Sequence, residues 1–95
     1  MSTSSPDGVT RDGLLDDRAR EILDFEREAW KLSEPKERAI RARFGFSAAR
    51  YHQLLTRTID LPEALAYDPM LVRRLRRLRE LRRRKRVARE LGVRV

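Results

Sequence analysis

The segment that decides the fold runs from Glu37 to Thr56 and has the sequence ERAIRARFGFSAARYHQLLT. Two short helical patterns meet within it at residues 44–47, which are too few to form a loop. Gly45 lacks a Cβ and can therefore adopt the left-handed backbone conformation that ends a helix. Ser47 can accept a hydrogen bond from a free backbone N–H of the helix that follows. The segment predicts two helices joined by a tight turn.

Apolar side chains recur in this segment at a spacing that turns one face of each helix toward the other. They are Ile40, Phe44, Phe46, Tyr51 and Leu54. This is the pattern of a helix-turn-helix, whose second helix enters the major groove of DNA, and we assign it to residues 36–58. Arg41 occupies the position four residues before the glycine that usually holds a small residue. Its side chain must turn outward or separate the two helices.

Two further segments carry a resemblance to a known family. They are ILDFERE at residues 22–28 and DPMLV at residues 68–72. With the helix-turn-helix pattern between them, they resemble a small actinobacterial family without assigned function. The resemblance covers roughly residues 20–91, and it implies a fold that carries a helix-turn-helix rather than any particular regulatory role.

Composition indicates one small domain with an affinity for polyanions. The chain has 95 residues, with 23 Lys and Arg against 15 Asp and Glu, for a net charge of +8. Arg dominates the surplus, and its planar guanidinium binds phosphate and guanine through two parallel hydrogen bonds. No cysteine is present, which excludes disulfides and thiolate chemistry. The chain shows no pattern of a signal peptide or a membrane span, so we expect a cytoplasmic protein associated with the nucleoid.

The chain divides into three parts. Residues 1–13 are polar and predict a disordered tail. Residues 14–91 predict an all-α DNA-binding domain of about five helices, and residues 92–95 a frayed end. The first helix has the largest apolar face, which includes Trp30, and we expect it to pack behind the helix-turn-helix with Trp30 in the core. Asp60 is expected to cap a short fourth helix.

The last helix, residues 69–91, carries the whole positive surplus. Between Met70 and Leu91 the chain has eleven basic and two acidic residues, a net charge of +9. Leu71, Leu75 and Leu78 form a stripe that can dock on the domain. Residues 82–86 are five consecutive cations, and no side of that segment can be buried because an unpaired buried cation is too costly. We predict that this helix contacts phosphates, although a cationic run can also be a solvated surface.

The predicted DNA contacts combine the outer face of the third helix with the last helix. Arg50 can bind guanine or phosphate, Gln53 suits an adenine edge, and the small Ala48 and Ala49 permit close approach or touch a thymine methyl. The full predicted set is Ser47, Ala48, Ala49, Arg50, His52, Gln53, Thr56, Arg57, Arg73, Arg74, Arg76, Arg77, Arg82, Arg83, Arg84, Lys85 and Arg86.

These patterns favour a small transcriptional regulator or nucleoid-associated protein of modest sequence specificity, bound to double-stranded DNA as a homodimer. The alternatives are an adaptor that binds RNA polymerase or a sigma factor of the transcription machinery, and an RNA-binding protein. His52 is the single histidine, so we expect no zinc or catalytic role for it. We expect no enzyme, no cofactor, no membrane partner and no small-molecule substrate.

Overall fold

The computed structural model describes residues 8–92 and is all-α. Its helices are α1 (Asp17–Glu28), α2 (Lys36–Phe44), α3 (Ala48–Ile59), α4 (Pro62–Tyr67) and α5 (Pro69–Glu90), and a 3₁₀ turn (Ala29–Lys31) follows α1 directly. Within the described residues, β structure is limited to one isolated bridge between Val9 and Leu15. No helix in this part of the chain is long and apolar enough to cross a membrane. The predicted fold class, a small domain of about five helices, is confirmed.

The start of α1 is defined by its cap. Asp16 is buried, and its Oδ1 accepts a hydrogen bond from the backbone N–H of Ala19 at 2.8 Å. A capping residue has an extended backbone, so the helix begins at Asp17.

Residues 8–13, part of the stretch 1–13 that the sequence predicts to be a disordered tail, form a turn before α1 in the structure. The backbone N–H of Thr10 donates to the carbonyl of Leu14 at 2.7 Å, and the N–H of Asp16 donates to the carbonyl of Gly8 at 2.8 Å. Composition does not predict this turn, because composition carries no information about backbone hydrogen bonds of this kind. Residues 1–7 and 93–95 lie outside the described part of the chain.

The core consists of two clusters that α1 joins. In the first, Ala19 and Leu23 of α1 pack with Ala64 of α4 and with Leu71 and Val72 of α5. Each of these side chains is at most 4% exposed. The first cluster therefore holds the beginning of α5 against α1.

The second core cluster joins α1 to α2 and α3. Ile22 and Phe25 of α1 pack with Ala39 and Ile40 of α2 and with Tyr51 of α3. Because α1 contributes to both clusters, it is the scaffold behind the other helices, as predicted.

The turn between α2 and α3 has the predicted geometry. Gly45 is left-handed, with φ 79°, and its N–H donates to the carbonyl of Arg41 at 2.9 Å. Ser47 Oγ accepts from the backbone N–H of Arg50 at 3.2 Å and caps α3. The rings of Phe44 and Phe46 stack across the turn with centroids 5.3 Å apart. Arg41 is exposed, so its side chain turns outward and the two helices still pack.

Trp30 does not lie in the core, and the prediction that it would is wrong. The side chain is 79% exposed. The α-helix ends at Glu28, and Trp30 lies in the 3₁₀ turn, which has three residues per turn and shifts side chains away from the helical face extrapolated from α1. Lys31 Nζ lies 5.4 Å from the centre of the indole ring.

Only the first part of α5 is packed on the domain. Asp68 caps the helix, and Pro69 is its first residue, as predicted. Leu71 is 4% exposed, whereas Leu78 and Leu81 are 39% and 45% exposed. A helix of 22 residues is about 33 Å long, so α5 extends past the core and accounts for much of the 51 Å long axis of the molecule.

Candidate nucleic-acid interface

The outer face of α3 is exposed and carries most of the side chains predicted to contact DNA. The exposed side chains are those of Ser47, Ala49, Arg50, His52, Gln53, Thr56 and Arg57. Ala48 is half-buried because it packs against the second core cluster. A shallow depression runs along this face between Ala49 and Arg57, with His52, Gln53 and Thr56 in its lining. The face is therefore accessible along its length to a convex or flat partner.

A buried polar contact sets the rotation of α3 and so decides which side chains face outward. The ring of Tyr51 is 0% exposed, and its hydroxyl donates to Glu26 Oε1 of α1 at 2.7 Å. Lys36 Nζ of α2 lies 2.6 Å from the same carboxylate oxygen. Three helices thus meet at one carboxylate, a network that local sequence patterns do not predict.

The Tyr51 hydroxyl keeps its proton in this environment. Burial raises the pKa of the phenol well above its usual value, and the negative charge of Glu26 raises it further. A hydroxyl can donate a hydrogen bond only while it is protonated, so the Tyr51 hydroxyl continues to donate to the Glu26 carboxylate. With Tyr51 inward, Arg50 and Gln53 are directed to solvent. The aromatic contacts of the Tyr51 ring with Phe25 and Phe44, at 5.5 and 5.6 Å between centroids, add a second constraint.

Most cations of α5 are exposed. The exposed cations include Arg73, Arg74, Arg77 and every residue from 82 to 86. We call residues 82–90 the basic arm; none of them is buried, and Ala88 alone is half-buried. Arg83 and Arg84 lie 3.1 and 3.5 Å from Glu80 Oε1. The other cations of residues 82–86 make no hydrogen bond or ion pair with another described residue.

Arg76 is an exception among the predicted DNA contacts. It is half-buried, and its Nε donates to the backbone carbonyl of Ile59 at 2.5 Å, at the end of α3. Carbonyls at a helix C-terminus lack intrahelical donors, and a cation there also opposes the negative end of the helix dipole. The structure therefore gives Arg76 a role in joining α5 to α3, and its Nε faces the protein rather than solvent.

Arg79 makes a second link between the same helices. Its guanidinium donates to Asp60 Oδ1 at 2.7 Å, a hydrogen bond that holds the pKa of the Asp60 carboxyl below its usual value. Asp60 therefore does not cap α4 as predicted; the residue that precedes α4 is Leu61, which provides no side-chain cap. Local spacing predicts the cap, but it does not account for a cation that reaches Asp60 from α5.

A groove of about 420 Å³ lies between α3 and α5. His52 lines it from α3, and Arg74 and Arg82 line it from α5. Since His52 also lines the depression on the outer face of α3, the depression and the groove adjoin at this residue. Arg73 and Arg77 are not among the residues that line the groove. The structure thus brings three of the predicted contacts around one groove and leaves others on separate faces of α5.

Within residues 8–92, no group of three or more His, Cys, Asp or Glu side chains is arranged to hold a metal ion.

The fold and the exposed cations define a small all-α protein with a tight turn between two central helices and a basic last helix that extends from the core. The chain belongs to a protein family of unknown function, DUF3263, whose model matches residues 14–87. Searches of curated proteins and of solved structures found no match. The predicted resemblance to a family without assigned function is confirmed, whereas its actinobacterial origin, its helix-turn-helix nature and its binding of DNA stay predictions.

Proposed function

We propose that this protein binds double-stranded DNA, with α3 facing the major groove and α5 contacting the phosphate backbone. The observation that carries the proposal is the continuity of two surfaces at His52. This residue lines both the exposed face of α3 and the groove whose other wall holds Arg74 and Arg82. One duplex could therefore contact both helices.

The availability of the cations supports this proposal. Arg50, Arg57, Arg74 and Arg82 are exposed, and their guanidinium groups have no acidic partner among the described residues. A free guanidinium can bind a phosphate without first giving up an internal ion pair. Each phosphate that is neutralised also releases condensed counterions, which makes such binding strong at low salt and steeply salt-dependent.

The chemistry of α3 supports modest sequence specificity. Arg50 and Gln53 are suited to guanine and adenine edges, but Ala49 beside them provides no hydrogen bond. Most of the remaining cations are on α5, where phosphate contacts position the protein without distinguishing sequences. We therefore propose a small transcriptional regulator or a nucleoid-associated protein. Pairing of two copies on DNA stays a prediction.

The test is fluorescence anisotropy with a labelled duplex of ~25 base pairs and a matched RNA hairpin, titrated from ~50 to ~200 mM salt. We expect preferential duplex binding that weakens by roughly 10³-fold over this range, as for six or more phosphate contacts. Arg50→Ala is expected to weaken binding by about tenfold. The matched control is Arg11→Ala, which removes one charge from the exposed turn before α1 and should have a smaller effect.

The outcomes separate the alternatives. Equal effects of Arg50→Ala and Arg11→Ala would show that α3 does not contact the duplex. Preference for the hairpin would favour RNA binding through α5. Absence of binding to both nucleic acids at ~100 mM salt would contradict the proposal and favour a protein partner.

A further inference from the structure

The groove between α3 and α5 has an apolar floor that DNA binding does not explain. Its lining includes Leu55 of α3, Leu75 and Leu78 of α5, and Trp30. Trp30 is 79% exposed and Leu78 is 39% exposed. An indole exposed beside an open apolar groove is typical of an interaction surface, because Trp contributes a large apolar area when a partner covers it.

The rim of the groove is positively charged. Arg74 and Arg82 lie on its α5 side, and neither has an acidic partner among the described residues. The single carboxylate in the lining, Glu26, is 9% exposed and is engaged by Lys36 and by the Tyr51 hydroxyl. Its charge is thus neutralised internally. A partner that enters the groove therefore meets uncompensated positive charge.

The side chains of α5 that line the groove lie at a defined spacing along the helix. Arg74, Leu75, Leu78 and Arg82 lie in the lining of one groove, so two leucines stand between two arginines. The two arginines are eight residues apart, or about 12 Å along the helix axis. A partner helix with carboxylates at the same separation and apolar side chains between them would match this pattern.

We propose that the groove binds an acidic amphipathic helix of a protein partner. Its apolar side chains would pack against Leu75, Leu78 and Trp30, and its carboxylates would pair with Arg74 and Arg82. The inference goes beyond DNA binding, because it assigns a second class of partner to the apolar lining of the groove, and this partner would compete with the duplex for Arg74 and Arg82.

The lining favours a peptide over single-stranded nucleic acid. Surfaces that bind single strands stack successive bases on several aromatic rings. Here three of the apolar lining residues are leucines, and Trp30 is the single large aromatic ring in the lining. Aliphatic walls suit the aliphatic and aromatic side chains of an amphipathic helix.

Trp30 is the only tryptophan in the chain, so its fluorescence reports directly on the groove. The probe is a designed helical peptide of about 18 residues, ~27 Å long, with leucines on one face and glutamates flanking them. We expect a saturable blue shift of the Trp30 emission on titration. Two control peptides, one with lysine in place of glutamate and one with serine in place of leucine, should produce none.

Two leucines of α5 provide a matched pair of variants. Leu78 lines the groove and Leu81 does not, although they are 39% and 45% exposed respectively. Leu78→Ser is expected to weaken peptide binding by at least tenfold, equivalent to about 1.4 kcal/mol, and Leu81→Ser by less than about twofold. Both variants should keep the duplex DNA affinity of the unmodified protein. Peptide binding is measured separately from DNA binding, so the peptide test stays valid even if the protein does not bind DNA.

A second variant covers the case in which Leu78→Ser fails to fold, as judged by circular dichroism. Trp30→Ala removes an exposed side chain, and its peptide binding is measured by anisotropy of a labelled peptide. We expect a loss of at least tenfold. Equal effects of Leu78→Ser and Leu81→Ser, or equal binding of the peptide that lacks leucine, would overturn the proposal. Binding of a thymidine dodecamer that shifts Trp30 emission and depends on Leu78 would overturn it in favour of single-stranded nucleic acid.

Discussion

Helix α3 and the basic arm at the end of α5 both present arginines to solvent, but they differ in what lies behind those arginines. Behind Arg50 is Tyr51, which is 0% exposed and hydrogen-bonded to Glu26 of α1. The cations of residues 82–86 have no such support: no residue of the arm is buried, and Arg82 alone among these cations lines the groove that faces α3. The arginines of α3 are therefore positioned by the tertiary structure, whereas those of the arm are positioned mainly by the helical backbone.

This difference indicates a division of roles in the proposed complex with DNA. A helix whose rotation is set by a buried contact can direct particular side chains to base edges, which requires placement to within a fraction of an ångström. An arm that is held only by its own backbone can still neutralise phosphates, because the Coulombic attraction tolerates variation in geometry. Specificity should then depend on the core behind α3, and affinity on the arm.

The largest expected effect comes from removing the support of α3. Tyr51→Ala should lower the free energy of unfolding by roughly 3–5 kcal/mol, because it leaves a cavity and removes the hydroxyl that donates to Glu26. Tyr51→Phe keeps the ring and should cost about 1–2 kcal/mol. Urea denaturation followed by circular dichroism measures both, with Tyr67→Phe at an exposed hydroxyl as the control. If Tyr51→Ala were as stable as Tyr67→Phe, the contrast between the two regions would be unfounded.

Neutralising the arm should affect binding rather than folding. Replacing Arg82, Arg83, Arg84, Lys85 and Arg86 by glutamine is expected to reduce duplex affinity by roughly 100-fold, or about 2.7 kcal/mol, at ~100 mM salt. The slope of log affinity against log salt should become shallower by about 4. The unfolding free energy should change by less than about 0.5 kcal/mol, because these side chains are exposed. An unchanged salt slope would show that the arm does not contact phosphates.

The smallest effect is expected where the two regions are joined, at the pair of Arg79 and Asp60. Because this pair holds the pKa of Asp60 below its unfolded value of ~3.9, it stabilises the fold above that pH. The stabilisation is lost as the pH falls through the lower, folded-state pKa. Arg79→Ala should therefore cost about 0.2–1 kcal/mol at neutral pH, since the pair is exposed, and almost nothing in strong acid.

Urea denaturation of Arg79→Ala at neutral pH and at pH ~2 measures this dependence. Arg77→Ala is the control, since Arg77 is an exposed neighbour with no ion pair in the described part of the chain. A cost of Arg79→Ala that persists undiminished in acid would show that the contact with Asp60 is not its cause.

Much of the fold follows from local patterns in the sequence. The glycine and serine of the central turn, and the Asp68–Pro69 start of α5, are found where the sequence predicts them. Each of these signals acts within about one turn of helix, through backbone conformation or a cap, so neighbouring residues suffice to predict it. The outward face of α3 is also predictable, because helical periodicity alone separates Tyr51 from Arg50 and Gln53.

Contacts between residues distant in the chain were not predictable in the same way. Glu26 meets Tyr51, Arg76 meets the end of α3, and Asp60 meets Arg79 instead of capping α4. Trp30 lies outside the core because α1 ends at Glu28 and a 3₁₀ turn follows. The sequence signal for this ending is the Ser-Glu-Pro segment at residues 33–35, which interrupts the helical pattern shortly after Trp30. The sequence by itself determined the helices, their caps and the surplus of charge. The tertiary structure decided which arginines are free, since that depends on which acidic side chains and helix ends the packing of α1, α3 and α5 brings within hydrogen-bonding distance.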